Sequence, residues 1–176
     1  METQTASVKK IAQPYGLVLA LGTIFVSVIV YVMGYTYEQP WWQSLLNFAI
    51  MTLCIVYGLK AFKKENEGFL SLGESLKTGL AISVVAGVIG SLFTYLFVTV
   101  IEPDFAANML EVTETNMVEQ NPNMTSEQME MALSMTEGMM QPWIMVAIGI
   151  IATLFFGFII SLIAGLIMKQ NRPVHQ

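Results

Sequence analysis

Three methionines in the second half of the chain have the type and spacing that most nearly suggest chemistry. Met131, Met135 and Met139 recur every four residues, so on a helix their thioethers would share one face. Clustered thioethers can ligate Cu(I), a soft ion. Methionine is also a flexible apolar packing residue. We favour packing of this segment onto the rest of the protein or onto an interface, and Cu(I) binding is the alternative.

Other chemically active residues are scarce. The chain has one cysteine, Cys54, inside an apolar run, and one histidine, His175, one residue from the C-terminus. A single cysteine excludes an intrachain disulfide. Together the two residues do not assemble a His/Cys metal site or a Cys–His catalytic pair. The sequence therefore predicts a protein that is not an enzyme and that uses no cofactor.

The composition indicates a membrane protein. Hydrophobic residues make up 55% of the 176 residues and charged residues only 12%, about half the charged fraction of an ordinary soluble domain. The charges leave four uncharged runs, at 11–37, 39–59, 78–101 and 138–168, and roughly 20 apolar residues cross a membrane as a helix. A soluble enzyme and a nucleic-acid-binding protein are excluded, and the lipid bilayer is the first expected partner.

We predict an all-α polytopic membrane protein, a single domain over residues 1–176 with four transmembrane helices. The expected spans are about 14–36, 41–60, 76–100 and 143–168. Pro14 is expected in the first turn of its helix, where its missing N–H costs nothing. Ser71 and Glu74 have the spacing of a capping box before the third span. Glu74 and Lys77, three residues apart, have the spacing of a helical ion pair.

The charge distribution predicts the orientation. All eight Lys and Arg residues fall in the flanks on one side of the predicted bilayer, with four acids, whereas the other side has nine acids and no base. Basic flanks face the cytoplasm, so both termini are expected there and segment 102–141 outside. Interfacial tryptophans prefer the membrane boundary, and three lie at the predicted outer boundaries: Trp41, Trp42 and Trp143.

The acidic outer segment 102–141 is predicted to form a helical hairpin between the third and fourth spans. It contains eight acids and eight methionines, and forty residues are too many for a plain connection. Residues from Phe105 to about Gln120 have helical character, and Asn121-Pro122-Asn123 breaks the pattern. Thr125 followed by Gln128 is typical of a helix start, so a second helix is expected from Ser126 to about Thr136.

Small residues at four-residue spacing mark two helix faces. Small side chains let helices approach closely in a membrane, where lipid provides no hydrophobic drive. We therefore expect helix–helix contact along these stripes, within the bundle or between subunits, with a pore wall as the alternative. The stripes are Gly79, Ser83, Gly87 and Ser91 in the third span, and Gly149, Thr153, Gly157, Ser161 and Gly165 in the fourth.

No ionisable residue lies deep in a predicted span, so the usual sign of an ion or proton pathway is missing. Asn47 is the strongest polar residue there, and we expect it to form an interhelical hydrogen bond rather than a substrate contact. Cys54 is expected to be a small packing residue.

The segment Gly68-Phe69-Leu70-Ser71-Leu72-Gly73-Glu74-Ser75-Leu76-Lys77-Thr78-Gly79, with Ile101-Glu102-Pro103-Asp104-Phe105 further on, resembles a bacterial family of small multi-pass membrane proteins. That family is catalogued as domain of unknown function 4199. The resemblance covers nearly the whole chain and implies a bacterial inner membrane. It implies no catalytic or ligand-binding residues.

These features predict an interaction protein of the inner membrane, such as a scaffold or accessory subunit. Its expected partners are the bilayer and either other membrane proteins or further copies of the same chain. A small channel or transporter component is one alternative, and metal handling by the methionine-rich outer loop is another.

Overall fold

The computed structural model describes residues 6–172, and His175 lies outside this part. Four helices are long and apolar enough to cross a membrane, which confirms the predicted all-α polytopic fold. They are α1 (Val8–Val32), α2 (Trp41–Glu65), α3 (Leu72–Leu96) and α6 (Pro142–Met168). A π-helical turn, Phe97–Ile101, extends α3. The hairpin between α3 and α6 consists of α4 (Phe105–Gln120) and α5 (Ser126–Met139), which confirms that segment 102–141 forms a helical hairpin.

Both predicted capping boxes are present. Ser71 accepts a hydrogen bond from the backbone N–H of Glu74, and the Glu74 carboxylate accepts one from the backbone N–H of Ser71. Thr125 and Gln128 form the same reciprocal pair at the start of α5. Each box satisfies N–H groups that have no partner within the helix, so these helix starts are encoded locally.

The prediction for Pro14 is wrong, because α1 begins at Val8 and Pro14 lies inside the helix. The residues around it explain the extension, since Ile11 and Ala12 are both buried in the core. Proline is tolerated inside membrane helices when the surroundings compensate for the missing hydrogen bond.

At the C-terminal end of α1, Gly34 has a positive φ of 79°. Hydrogen bonds from Gly34 N to Tyr31 O and from Tyr35 N to Val30 O then close the helix.

Helix α3 is the centre of the bundle. It packs most extensively against α6 and α1, α1 also packs against α2, and α2 makes fewer contacts with α6 and α3. Ile55 and Leu59 of α2 and Ile82 of α3 are fully buried between the helices. Cys54 is buried beside them, as expected for a packing residue.

The two small-residue stripes face each other within the chain, between α3 and α6. In three pairs a glycine lies opposite a serine so closely that a Cβ built on the glycine would lie 2.7–2.8 Å from the serine Cβ. Ser75 Oγ also donates a hydrogen bond to the Ser161 carbonyl at 2.8 Å. These three close pairs are Gly165–Ser75, Gly79–Ser161 and Gly157–Ser83.

The contact between α3 and α6 loosens along its length. At the next pair, a Cβ on Gly87 would lie 3.8 Å from the Thr153 Cβ, and a Cβ on Gly149 would meet no atom within 4 Å. The helices are therefore in close contact near the α2–α3 loop and diverge toward the α4–α5 hairpin.

Basic and acidic residues lie at opposite ends of the bundle. At the basic end, Lys63 at the end of α2 donates to the carbonyl of Met168 at the end of α6. At the acidic end, Tyr31 at the end of α1 donates to Glu102, which follows the π-helical turn. The basic end is thus marked by Lys63 and the acidic end by Glu102.

Candidate functional site

A cavity of about 620 Å³ lies where α3 and α6 diverge, and all four long helices line it. Aromatic and aliphatic side chains, among them Leu19, Phe93 and Phe156, supply most of its surface. Polar side chains project from each helix, and no charged residue takes part. The polar residues that line the cavity are Thr23, Ser27, Ser44, Asn47, Ser91, Thr94 and Thr153.

The hydroxyl groups of this lining are partly occupied by the helices that carry them. Thr23 Oγ1 donates to the carbonyls of Leu19 and Ala20, and Thr153 Oγ1 donates to that of Gly149. Such bonds satisfy the hydroxyl hydrogens, but each oxygen keeps lone pairs for a donor in the cavity. The lining is therefore neutral and richer in acceptors than in free donors.

Asn47 does not form the predicted interhelical hydrogen bond through its carbonyl oxygen. Its Oδ1 atom is buried and has no hydrogen-bond partner, and the residue lines the cavity and the pocket above it. The expectation is wrong because the divergence of α3 and α6 removes the neighbouring helix that would have supplied the partner. A buried acceptor without a partner costs about 1–3 kcal/mol, which a ligand with a donor would recover.

A second pocket of about 350 Å³ continues the cavity toward the acidic end. Both are lined by Ser27, Asn47, Phe93 and Thr94, so the two spaces adjoin. The rings of Tyr31, Phe93, Phe97 and Phe105 line this second pocket. We call it the aromatic mouth.

Glu102 lies next to the aromatic mouth in a cluster that joins α1, the π-helical turn and α4. Its carboxylate accepts hydrogen bonds from Tyr37 Oη at 2.8 Å and from Tyr31 Oη at 3.2 Å. Asn108 Nδ2 donates to Tyr37 Oη at 2.9 Å. Burial raises the pKa of the Tyr37 hydroxyl, and the Glu102 carboxylate raises it further. Tyr37 therefore stays protonated and remains a donor to Glu102.

The rings of the aromatic mouth also pack against one another. Tyr31 contacts Phe97 edge to face with centroids 5.2 Å apart, and Phe97 contacts Phe105 in the same way at 6.0 Å. Phe97 begins the π-helical turn, and such turns are frequent at functional sites. This site was not predicted from the sequence. Its one signal is a carboxylate, Glu102, beside tyrosines and phenylalanines at the predicted outer boundary.

At the basic end, the segment that carries the family resemblance has a structural role. Asn66 is 1% exposed, and its amide donates to the Phe69 carbonyl and to Glu74 and accepts from Arg172. Leu70 and Gln170 exchange two backbone hydrogen bonds of 2.9 Å. This loop therefore caps α3 and holds the segment that follows α6.

The ion pair that the spacing of Glu74 and Lys77 allowed does not form, and Glu74 caps the helix instead. Glu74 is bound by Ser71 and Asn66, and Lys77 is exposed. Within residues 6–172 the only contact at ion-pair distance joins Arg172 and Glu67, at 3.6 Å. The capping geometry directs the Glu74 carboxylate toward the backbone of residue 71 and away from the position one turn later.

The methionine stripe does not pack onto the bundle, and its packing onto an interface, the other part of the expectation, stays a prediction. Met131, Met135 and Met139 are 64%, 66% and 58% exposed, so they lie on the free face of α5, whereas Met109 of α4 is buried. Among the residues described, no group of three or more His, Cys, Asp or Glu side chains could hold a metal ion.

Trp41 and Trp143 are exposed and Trp42 is half-buried, all at the acidic end.

The family comparison agrees with the resemblance drawn from the sequence. No curated protein and no solved structure matches the chain. The profile of the family described as "Protein of unknown function (DUF4199)" matches residues 14–170, which include all four long helices apart from the first six residues of α1. This match covers most of the chain, and the protein is therefore a member of the DUF4199 family.

Proposed function

We propose that the protein is a non-enzymatic accessory protein of the membrane that binds an amphiphilic molecule inside its bundle. The observation that carries this proposal is the cavity of about 620 Å³ with the unpartnered Oδ1 of Asn47 in its wall. Ligand pockets commonly measure about 300–1,000 Å³ and combine apolar walls with a few polar groups. The occupant is expected to donate a hydrogen bond to Asn47 and to be apolar elsewhere.

A role as an interaction protein has more support than a role as a channel. The cavity ends at the close pairs Gly79–Ser161 and Gly157–Ser83, and fully buried Ile55, Leu59 and Ile82 occupy the basic half. A channel or transporter component, the alternative, would require α3 and α6 to separate there. Because the stripes are occupied within the chain, association with a further copy or another subunit would need a different surface.

We further propose that the acidic end faces the outside and both termini face the cytoplasm of a bacterium. The support is the excess of Lys and Arg at the basic end. Because Cys54 is buried, single cysteines can report the topology. In intact cells, a membrane-impermeant maleimide should label Ser126→Cys in the hairpin and should not label Asn171→Cys. The reverse pattern would overturn this orientation.

Filling the cavity tests the proposed binding function. Gly90 and Gly149 line the cavity, and a Cβ on either meets no atom within 4 Å, so Gly90→Leu and Gly149→Leu should fit without disturbing the helices. Native mass spectrometry of protein released from nanodiscs should show a bound amphiphile on the unaltered chain and its loss in both variants. Gly138→Leu in α5 is the matched control, because its Cβ is equally free but lies outside the cavity. Equal occupancy in all four proteins would contradict the proposal.

A further inference from the structure

The aromatic mouth and Glu102 indicate the chemical class of the ligand. Resting on the proposed binding function, we propose that the ligand carries an ammonium group, which lies in the aromatic mouth, and an apolar tail, which enters the cavity. Three observations support this: the charge of Glu102, the arrangement of the rings, and the continuity of the two spaces.

The Glu102 carboxylate has no cationic partner among residues 6–172. Its partners are the hydroxyls of Tyr31 and Tyr37, and Tyr31 also lines the aromatic mouth. All eight Lys and Arg residues belong to segments outside the acidic end. A half-buried carboxylate with only neutral partners attracts a cation, and the eight acids of residues 102–141 add a field of the same sign.

The rings offer the complementary surface for such a cation. Tyr31, Phe93, Phe97 and Phe105 all line one pocket, and aromatic faces attract ammonium groups, most strongly when water is excluded. Cages of this kind recognise quaternary ammonium ligands. An anionic ligand would gain nothing from these rings and would be repelled by Glu102.

The cavity below the mouth then accommodates the tail. The shared residues Ser27, Asn47, Phe93 and Thr94 join the two spaces, so one molecule can occupy both. The head would lie at the acidic end and the tail between the diverging parts of α3 and α6. Asn47 lies at the junction, where its Oδ1 can accept a hydrogen bond from a polar group that follows the head.

The test compares two probes with similar tails in the full-length protein. Decyltrimethylammonium and a neutral decyl glycerol ether are titrated by calorimetry into protein in maltoside micelles, and protein-free micelles are subtracted. We expect Glu102→Gln to weaken binding of the cationic probe by about tenfold and to leave the neutral probe unchanged. Phe97→Leu should weaken the cationic probe in the same way. Glu111→Gln, which removes an acid of α4 away from the mouth, is the matched control.

The outcomes separate this inference from the proposed function. If both probes bind the unaltered protein equally and Glu102→Gln and Phe97→Leu change neither, the ammonium site is refuted and the cavity function stands. If neither probe binds, both proposals fail. Binding of the neutral probe shows that each variant is folded.

A competition experiment assigns the source of the ammonium group. Phosphatidylethanolamine is added to the micelles before the cationic probe. Displacement of decyltrimethylammonium by this lipid, but not by phosphatidylglycerol, which has no ammonium group, identifies a lipid headgroup, and retention of the probe against both lipids favours a soluble cationic amphiphile. Both results support the ammonium site.

Discussion

The close contact between α3 and α6 predicts a large difference between two glycine substitutions in one helix. A Cβ added at Gly79 would overlap Ser161 Oγ, and Ser161 is fully buried with its hydroxyl bonded to the Gly157 carbonyl. A Cβ added at Gly90 meets nothing within 4 Å. Alanine in place of either glycine should stabilise α3 itself by a similar amount, about 0.5–1 kcal/mol. The difference between the free energies of unfolding of the two variants therefore isolates the cost of overpacking at Gly79, about 1–3 kcal/mol.

The assay is reversible unfolding in mixed micelles at increasing fractions of sodium dodecyl sulfate, followed by far-UV circular dichroism. Gly79→Ala should be less stable than Gly90→Ala by about 1–3 kcal/mol. Adding Ser161→Gly to Gly79→Ala should recover much of the loss, because neighbouring residues couple by about 0.5–3 kcal/mol. Equal stability of the two alanine variants, or no recovery in the double variant, would refute the close pairing of the stripes.

Three further predictions concern the two ends of the bundle and the hairpin. Tyr37→Phe removes the hydroxyl between Glu102 and Asn108 and should lower the free energy of unfolding by about 1–2 kcal/mol in the same assay. Tyr35→Phe is the control, and an equal loss of stability in both variants would contradict the hydrogen-bonded cluster. Arg172→Ala removes the donor to Asn66 and should speed tryptic cleavage after Lys169. The control Lys77→Ala should leave the rate of cleavage unchanged. An unchanged rate in Arg172→Ala would mean that Arg172 does not hold the segment that follows α6. Replacing Met131, Met135 and Met139 together by leucine should change stability by less than about 0.5 kcal/mol, since all three are exposed. In that variant, loss of an Ag(I) titration signal present in the unaltered protein would favour metal handling.

The helices could be predicted from the sequence because local rules determine them. Uncharged runs mark the spans, and the capping boxes at Ser71 and Thr125 mark two of the helix starts. The start of α1 could not be predicted in this way. Its position depends on burial of Ile11 and Ala12 against the other helices, which outweighs the local effect of Pro14.

The candidate site was largely hidden in the sequence because it depends on what the helices leave empty. Asn47 stands out as a polar residue in an apolar run, yet its missing partner follows from the divergence of α3 and α6. Tyr31 and Glu102 are 71 residues apart, and neither belongs to a recognisable motif. The π-helical turn that positions Phe97 has no sequence signal that we can identify.

The same pair of stripes accounts for both the closed and the open half of the bundle. Where glycine alternates with serine, from Ser75–Gly165 to Ser83–Gly157, the helices are in contact. At the next pair the partner is Thr153, whose branched side chain needs more room than serine, and the separation has increased. Beyond this pair, a Cβ on Gly149 would meet no atom within 4 Å. In this half of the bundle the small residues of the stripes therefore leave an empty space, whereas in the other half they allow the helices to touch. A stripe of small residues therefore favours close packing only where the partner helix fits against it, and in this protein its far end forms the wall of the cavity.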